Sequence, residues 1–236
     1  MAADLVLALD GATDVCSAAL LRLPSPVASS PEATAGGDTR GVWQLIDESA
    51  ATDGKAQARV LLHLVDDMLR AHGAVAADVG ALVVGTGPGT FTGVRITVAT
   101  ARALALALSV PVLGLSSLAA LAAEAACTTH AMSKRAGETG AEPRLPGVIV
   151  PVIDARRGQL FYGVYRRRQD AGETSWRRES GFEVCDRGRL GSVCEGLARE
   201  AGEGVVVIGD ASLREGSGLP SPGGRTAATF DVEFRE

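Results

Sequence analysis

Apolar residues in the first half of the chain form short continuous runs and one helical period. The runs Leu5–Leu9, Cys16–Leu21 and Ala81–Val84 are typical of buried strands, and Val42–Ile46 predicts another strand. Between Lys55 and His72, apolar residues recur at positions 60, 61, 64, 65, 68 and 69, which is the spacing of one helix face. Strands that alternate with helices predict an α/β fold in which helices pack on sheets that contain parallel strands.

The opening pattern returns in the second half of the chain. Val148–Ile153 is an apolar run that ends at Asp154, as Leu5–Leu9 ends at Asp10, and a return strand follows each aspartate. The repetition predicts a duplicated domain, with a first lobe over residues 1–126, a linker over 127–147 and a second lobe over 148–236. A stretch rich in Pro, Ser, Ala and Gly at 24–41 predicts a flexible insertion. Further elements are predicted at Gly93–Leu108, Val112–Leu115, 116–126, Leu160–Tyr165, Gly188–Gly202, Val205–Ile208 and Ala227–Val232.

Charge and composition narrow the classes of protein. The net charge of −5 argues against a protein that binds nucleic acid over its whole surface. Residues 156–189 are a local exception, with nine arginines against five acidic residues, and a solvated edge of sheet with its loops is the favoured interpretation of such a run. Residues 103–123 are uncharged, but Pro111 and Gly114 interrupt them, and the N-terminus lacks the basic segment of a signal peptide. The sequence therefore predicts a soluble, cytoplasmic protein with no membrane contact.

The segment Gly85–Arg95, GTGPGTFTGVR, joins a predicted strand to a predicted helix, where backbone N–H groups often hold phosphate. It has no lysine, which excludes a P-loop, and Thr90 occupies the third glycine position of the dinucleotide pattern. Two interpretations remain open. The glycines either permit a tight turn and a close helix approach, or the loop contacts a phosphate. The candidate phosphate or nucleotide residues are Asp10, Thr13, Gly87, Gly89, Thr90 and Asp154.

Three motifs resemble one known family. Gly87–Arg95, GPGTFTGVR, closely resembles the GPGSFTGLR signature of the TsaB (YeaZ) family. The opening LALDGATDVCSAAL resembles the start of that family, and VIDARRGQLFY, from Val152, resembles its second-lobe opening. The motifs occur in the family's order and cover the chain from about residue 4 to residue 210.

The resemblance implies the two-lobed fold shared by actin, heat-shock ATPases and sugar kinases. It also implies a role in making threonylcarbamoyladenosine on the tRNA adenosine next to the anticodon. In this family TsaB binds and supports TsaD, which carries the transfer chemistry, and the ATPase TsaE joins the pair. The resemblance further implies a homodimer in the absence of TsaD and no tightly bound cofactor, with ATP or ADP binding left to the complex and tRNA contacted only through it.

The residues for independent catalysis are missing from the sequence. Gly11 follows Asp10 where the family usually has threonine, which removes a hydroxyl that could touch a phosphate. The three histidines are scattered, the four cysteines form no CxxC pair, and no nucleophile elbow is present. We therefore predict no catalytic residue and no metal site. The alternatives are a nucleotide-dependent ATPase or kinase of the same fold, and, third, a protease acting on TsaD.

Two helices and an arginine run are the predicted contact surfaces. The helices at 55–72 and 93–108 have more apolar surface than one sheet requires, and the resemblance implies that their remaining faces form a helix bundle with TsaD or a second TsaB. Arg166, Arg167 and Arg168 are predicted to contact tRNA within the complex. The chain lacks the Pro-x-Tyr-x-Arg ending usual in the family, which predicts a second lobe that is incomplete or divergent at its end. The predicted partner-interface residues are Leu61, Val65, Met68, Val94, Thr97, Ala101 and Leu104.

Overall fold

A computed structural model describes residues 4–22, 43–52, 57–138, 146–170, 173–210, 213, 215–219 and 230–235. The predicted insertion at 24–41 lies outside these residues. The chain divides into two compact units, Met1–Leu115 and Ser116–Glu236.

The first unit is a five-stranded sheet with two helices packed on it. Its strand order is β3-β2-β1-β4-β5, in which β1 is antiparallel to β2 and parallel to β4. Apolar residues of β1, β2 and β4 form one core with both helices. The elements are β1 (Leu5–Asp10), β2 (Cys16–Arg22), β3 (Gln44–Ala51), α1 (Gln57–Ala71), β4 (Val79–Gly85), α2 (Phe91–Leu108) and β5 (Val112–Leu115).

The second unit is a seven-stranded sheet between two helices. Five strands follow the order β10-β7-β6-β11-β12, while β8 pairs with β6 and β9 pairs with β8. The elements are α3 (Ser117–Glu138), β6 (Val148–Arg156), β7 (Gln159–Tyr162), β8 (Tyr165–Asp170), β9 (Glu173–Arg178), β10 (Glu183–Asp186), α4 (Leu190–Ala201), β11 (Val205–Asp210) and β12 (Phe230–Arg235).

The central strands of the second sheet are buried on both faces. Ile149, Val206 and Ile208 pack with Ala122 and Ala125 of α3. The alternate residues of β6 and β11, including Val148 and Val205, pack with Leu190 and Cys194 of α4. Because both faces are covered, these strands are continuous apolar runs and do not alternate with polar residues.

The two sheets repeat one topology, which confirms the predicted duplication. Each sheet contains an antiparallel hairpin, β1–β2 in the first and β6–β7 in the second. The first strand of the hairpin pairs on its other side with a parallel strand, β4 or β11. That strand in turn pairs with a second parallel strand, β5 or β12. β3 and β10 pair antiparallel to β2 and β7, which are the return strands of the two hairpins. Asp10 and Asp154 therefore occupy equivalent places in the two cores.

Several element boundaries differ from the predictions. α3 continues to Glu138, twelve residues beyond the predicted end at 126 and into the segment predicted as a linker. The predicted strand Leu160–Tyr165 is divided, because β7 ends at Tyr162 and β8 begins at Tyr165. The final predicted strand is displaced to Phe230–Arg235, where it pairs parallel to β11.

α2 is long and apolar enough, by length and composition alone, to cross a membrane, and 22% of that window is buried. No other helix in the described part of the chain meets the same criteria. Its buried residues, Gly93, Thr97, Ala101 and Ala105, recur every four positions and pack it on β4 and β1. A helix with one face on its own sheet is typical of a folded α/β unit.

Candidate functional site

The glycine loop is held against the turn between β1 and β2. The Thr90 N–H donates a hydrogen bond to the Ala12 carbonyl (2.7 Å). A Cβ atom on Gly89 would overlap that same carbonyl, so only glycine permits this approach. Gly87 has a φ of 79° and precedes a cis peptide bond to Pro88. The close approach to Ala12 therefore explains why residue 89 is a glycine, and the positive φ explains why residue 87 is a glycine.

Asp10 contributes its carboxylate to the same arrangement. The Ala12 N–H donates to Asp10 Oδ1 (2.7 Å), which closes the turn that follows β1. The Asp10 side chain also lies so close to Gly85 that a Cβ atom there would overlap it. Thr13, the remaining residue predicted for this end of the sheet, exchanges local hydrogen bonds with Val15 (3.2 and 3.3 Å). The structure thus brings Asp10 and the loop together around Ala12.

Asp154 performs the equivalent task in the second unit. The Arg156 N–H donates to Asp154 Oδ1 (2.8 Å), as the Ala12 N–H does to Asp10. The Asp154 carboxylate also lies near the guanidinium groups of Arg156 (3.6 Å) and Arg187 (3.8 Å). Both predicted phosphate-binding aspartates therefore stabilise the turn of their own hairpin.

Thr90 is the N-cap residue of α2. Its N–H is bonded to the Ala12 carbonyl and is therefore not free for an anion. The Thr90 Oγ1 atom is buried and has no hydrogen-bond partner within the described part of the chain. The bond to Ala12 accounts for the shaping role of the glycine loop, and phosphate contact stays a prediction.

Gly11 makes room for a threonine on α2. A Cβ atom on Gly11 would overlap Oγ1 of Thr97. Thr97 is 1% exposed, and its hydroxyl donates to the Gly93 carbonyl (2.9 Å). The space that a side chain at position 11 would occupy is therefore filled by Thr97.

We expect Gly11 and Thr97 to be energetically coupled. Gly11→Ala should lower the free energy of unfolding by about 1–3 kcal/mol through overpacking, whereas Thr97→Ala should cost about 1 kcal/mol by removing a hydrogen bond. The double variant should be no less stable than Thr97→Ala alone, which corresponds to a coupling as large as the cost of Gly11→Ala itself, about 1–3 kcal/mol in urea denaturation. Thr97→Val is the control, since it keeps a methyl group in place of the hydroxyl and should give no rescue. Additive effects would show that the two positions do not share this space.

The residues predicted as a partner interface lie largely inside the first unit. Leu61, Val65 and Met68 of α1 are 0%, 7% and 3% exposed and belong to the core. On α2, Thr97 and Ala101 are also buried, while Val94 and Leu104 are half-buried. The assignment of these side chains to a partner is corrected, because the apolar stripe identified from the sequence is the face that packs on the sheet.

The outward face of α2 presents a different set of apolar side chains. Phe91 is 69% exposed and Leu106 is 83% exposed, and Ala99 and Ala103 lie exposed between them. The Arg95 guanidinium stacks on the Phe91 ring at 3.6 Å from its centroid. This outward α2 face could have been found in the sequence, because Gly93, Thr97, Ala101 and Ala105 mark the opposite side at intervals of four.

A surface cavity of about 550 Å³ lies at the C-terminal end of this face. Val112, at its edge, belongs to β5, the last strand of the first sheet, all of whose residues are exposed. Arg102, Ala103, Ala105, Leu106, Ser109, Val110 and Val112 line the cavity.

Two of the three arginines predicted to contact tRNA are engaged in ion pairs. Arg166, whose side chain is 18% exposed, pairs with Glu179 and with Glu200 (3.1 Å). Arg167 donates to both carboxylate oxygens of Glu203 (3.0 and 3.1 Å). Arg168 alone of the three is exposed. Arg166 and Arg167 are thus paired within the second unit, while their contact with tRNA stays a prediction.

The two buried cysteines, Cys16 and Cys194, are suited to packing and not to nucleophilic attack. Burial raises the pKa of the Cys194 thiol to about 12, and burial followed by the Asp10 charge raises the pKa of Cys16. Both thiols stay protonated at neutral pH, and the thiolate is the reactive form. Within the described ranges, no three His, Cys, Asp or Glu residues are grouped to hold a metal ion.

Known proteins share both the sequence and the fold. The family model described as "TsaD: tRNA N6-adenosine threonylcarbamoyltransferase" matches residues 51–179. The tRNA threonylcarbamoyladenosine biosynthesis protein TsaB of Haemophilus influenzae is 31% identical over 184 residues, which are 76% of this chain and 63% of that protein. TsaB of Escherichia coli K12 is 29% identical over 165 residues, 70% of this chain and 56% of that protein. The matched regions thus span about three fifths of these curated relatives.

The solved structure of YeaZ from Pseudomonas aeruginosa superposes with a TM-score of 0.58 at 26% identity, and covers 98% of this chain and 84% of that one. A second structure, described as similar to peptidase YeaZ from the same organism, gives a TM-score of 0.60 at 27% identity with the same coverage. These likenesses confirm the predicted two-lobed fold.

Proposed function

The chain belongs to the TsaB (YeaZ) family, and we propose that it is a non-catalytic subunit that binds TsaD during synthesis of threonylcarbamoyladenosine on tRNA. The chain presents the partner surface, and TsaD carries the threonylcarbamoyl transfer. The complex works in the cytoplasm on tRNA, with a TsaE homologue as a third component.

The outward α2 face carries this proposal. Leu106 is 83% exposed, more than any other large apolar side chain in the described part of the chain, and Phe91 lies at the other end of the same helix. Ala99 and Ala103 between them have short side chains, so the helix of a partner can approach closely. Removing apolar surface from water favours association, and extended exposed apolar patches mark protein contacts.

The same face accounts for a homodimer when TsaD is absent. A two-fold contact uses one surface patch twice, so a second copy of α2 can cover the exposed residues of the first. TsaD would then displace the second copy, since both partners need Leu106 and Phe91. Competition between homodimer and heterodimer follows directly from the proposal.

We expect Leu106→Glu to weaken TsaD binding at least about tenfold, because it places a charge where an apolar contact is desolvated. Size exclusion with light scattering, followed by titration calorimetry against TsaD of the same organism, measures the change. The fold should be unaffected, since Leu106 is exposed.

Val75→Glu is the matched control, because Val75 is 61% exposed but lies before β4, away from the α2 surface residues in sequence. It should bind TsaD like the unmodified chain. An unmodified chain that forms no complex with TsaD at micromolar concentration would disprove the partner role. Equal binding by both variants would remove α2 from the interface.

A further inference from the structure

An arginine surface lies on the β8–β9 hairpin of the second unit. Arg166 of β8 is directly opposite Arg177 of β9, and Tyr165 is opposite Arg178. Arg166, Arg168, Arg177, Arg178 and Glu179 line a cavity of about 240 Å³ at this place. Four guanidinium groups thus meet one carboxylate in a chain whose net charge is −5.

Three of these arginines keep their charge available. Arg166 is neutralised by Glu179 and Glu200 and is mostly buried. Arg168, Arg177 and Arg178 are exposed, and none of the three forms an ion pair within the described residues. Arg168 and Arg177 lie on one face of the hairpin, since Arg177 is opposite Arg166 and Arg168 is two residues along β8, whereas Arg178 is opposite Tyr165 on the other face. We call the Arg168 and Arg177 side chains the arginine cradle.

Unpaired like charges close together on one face of a sheet repel each other. Arg168 and Arg177 are diagonal neighbours on one face of the hairpin, and an anion between them would offset this repulsion. The planar guanidinium fork matches phosphate as well as carboxylate oxygens with two parallel hydrogen bonds, so these residues suit a phosphate group.

The lining of the cavity offers no aromatic surface for a base. Its residues are arginines and one glutamate, without an aromatic or aliphatic side chain on which a base could stack. Trp176, the aromatic residue of β9, packs with the α3 core instead. The cradle is therefore suited to a phosphodiester backbone, which carries charge but no sequence information.

We propose that Arg168 and Arg177 bind the phosphate backbone of the tRNA substrate. The identity of the RNA rests on the proposed function, whereas the phosphate chemistry follows from the arginines alone. This inference keeps Arg168 of the sequence prediction and replaces Arg166 and Arg167 by Arg177, which is about ten residues further along the chain but opposite Arg166 in the hairpin.

The salt dependence of RNA binding tests the cradle. Binding of a fluorescent, unmodified tRNA transcript is measured for the full chain, alone and with TsaD, between about 50 and 200 mM salt. Each phosphate contact adds about 0.7–0.9 to the slope of log affinity against log salt, so Arg168→Gln/Arg177→Gln should lower the slope by about 1.5. Over this salt range the unmodified chain should therefore lose about tenfold more affinity than the double variant.

Arg59→Gln/Arg70→Gln makes the same change in charge on exposed positions of α1, and it should leave the slope unchanged. TsaD binding by the cradle variant is measured separately and should be normal. If TsaD does not bind but the arginine-dependent slope persists, the partner proposal fails and the cradle stands.

Equal slopes for the cradle variant and the unmodified chain, or no tRNA binding under any condition, would overturn the inference. The arginines would then serve only to keep an exposed strand edge from pairing with other chains. Release of tRNA by inorganic phosphate at matched ionic strength would also overturn it, since the cradle would then bind free anions. Equal affinity for a DNA duplex of similar length would likewise remove the assignment to RNA.

Discussion

Replacing Leu61 with alanine is expected to lower the free energy of unfolding of the first unit by about 2–5 kcal/mol, whereas Leu62→Ala should cost less than about 1 kcal/mol. The two leucines are neighbours on α1, but Leu61 is fully buried against the sheet and Leu62 is 47% exposed. The large cost arises because truncation of Leu61 leaves a cavity in a core that also contains Val65 and Met68.

Urea denaturation, with hydrogen exchange of the peptide that contains β1 as a local probe, measures both variants. The pair also tests the corrected interface. If Leu61→Ala weakened TsaD binding while leaving stability unchanged, Leu61 would be a contact residue after all. The structure predicts the opposite result, in which Leu61→Ala lowers stability because Leu61 is buried, and TsaD binding is not weakened.

Gly89→Ala is expected to destabilise the first unit by about 3 kcal/mol, the upper end of the range for overpacking. The added methyl group would meet the carbonyl carbon of Ala12 at 2.7 Å. Backbone atoms cannot rotate away as a side chain can, so the loop and the β1–β2 turn must separate. The hydrogen bond from Thr90 to Ala12 would be lost with that separation.

Gly196→Ala provides the opposite case. Gly196 lies within α4, and an added Cβ atom would meet nothing within 4 Å. Alanine should therefore stabilise the second unit by about 0.5–1 kcal/mol through helix propensity. Both substitutions replace glycine with alanine. Thermal unfolding, monitored by hydrogen exchange in each unit, compares their effects on stability. A stability loss of the same size in both would show that close packing against Ala12 is not the cause.

Continuous apolar runs predicted β1, β2 and β5 well. β5 has the bounds expected from its sequence, and β1 and β2 each extend one residue further. α3 was shortened in the prediction because residues 127–138 lack an apolar period. Within this part of α3, the Thr129 hydroxyl bonds back to the Ala125 carbonyl (2.8 Å), a local contact that hydrophobic patterning does not detect.

The contact surfaces were harder to predict from the sequence. Periodicity shows that one face of a helix is apolar, but it does not show whether the sheet or a partner covers that face. α1 illustrates this point, because its most regular stripe is core. For the arginines, β8 has the sequence YRRRQD, in which consecutive arginines point to opposite sides of the strand and meet different neighbours. Only the pairing with β9 shows that Arg177 lies beside Arg166.

Each compact unit is one continuous segment of the chain, and the chain passes from the first to the second once, after Leu115. During synthesis on the ribosome, every strand of the first sheet has therefore been made before β6 begins. Domains that are continuous in sequence fold as units, with the N-terminal one first. The parallel strands β1, β4 and β5 can thus pair, and α2 can cover them, while the second unit is still being translated. The nascent chain would present the outward α2 face before the arginine cradle exists.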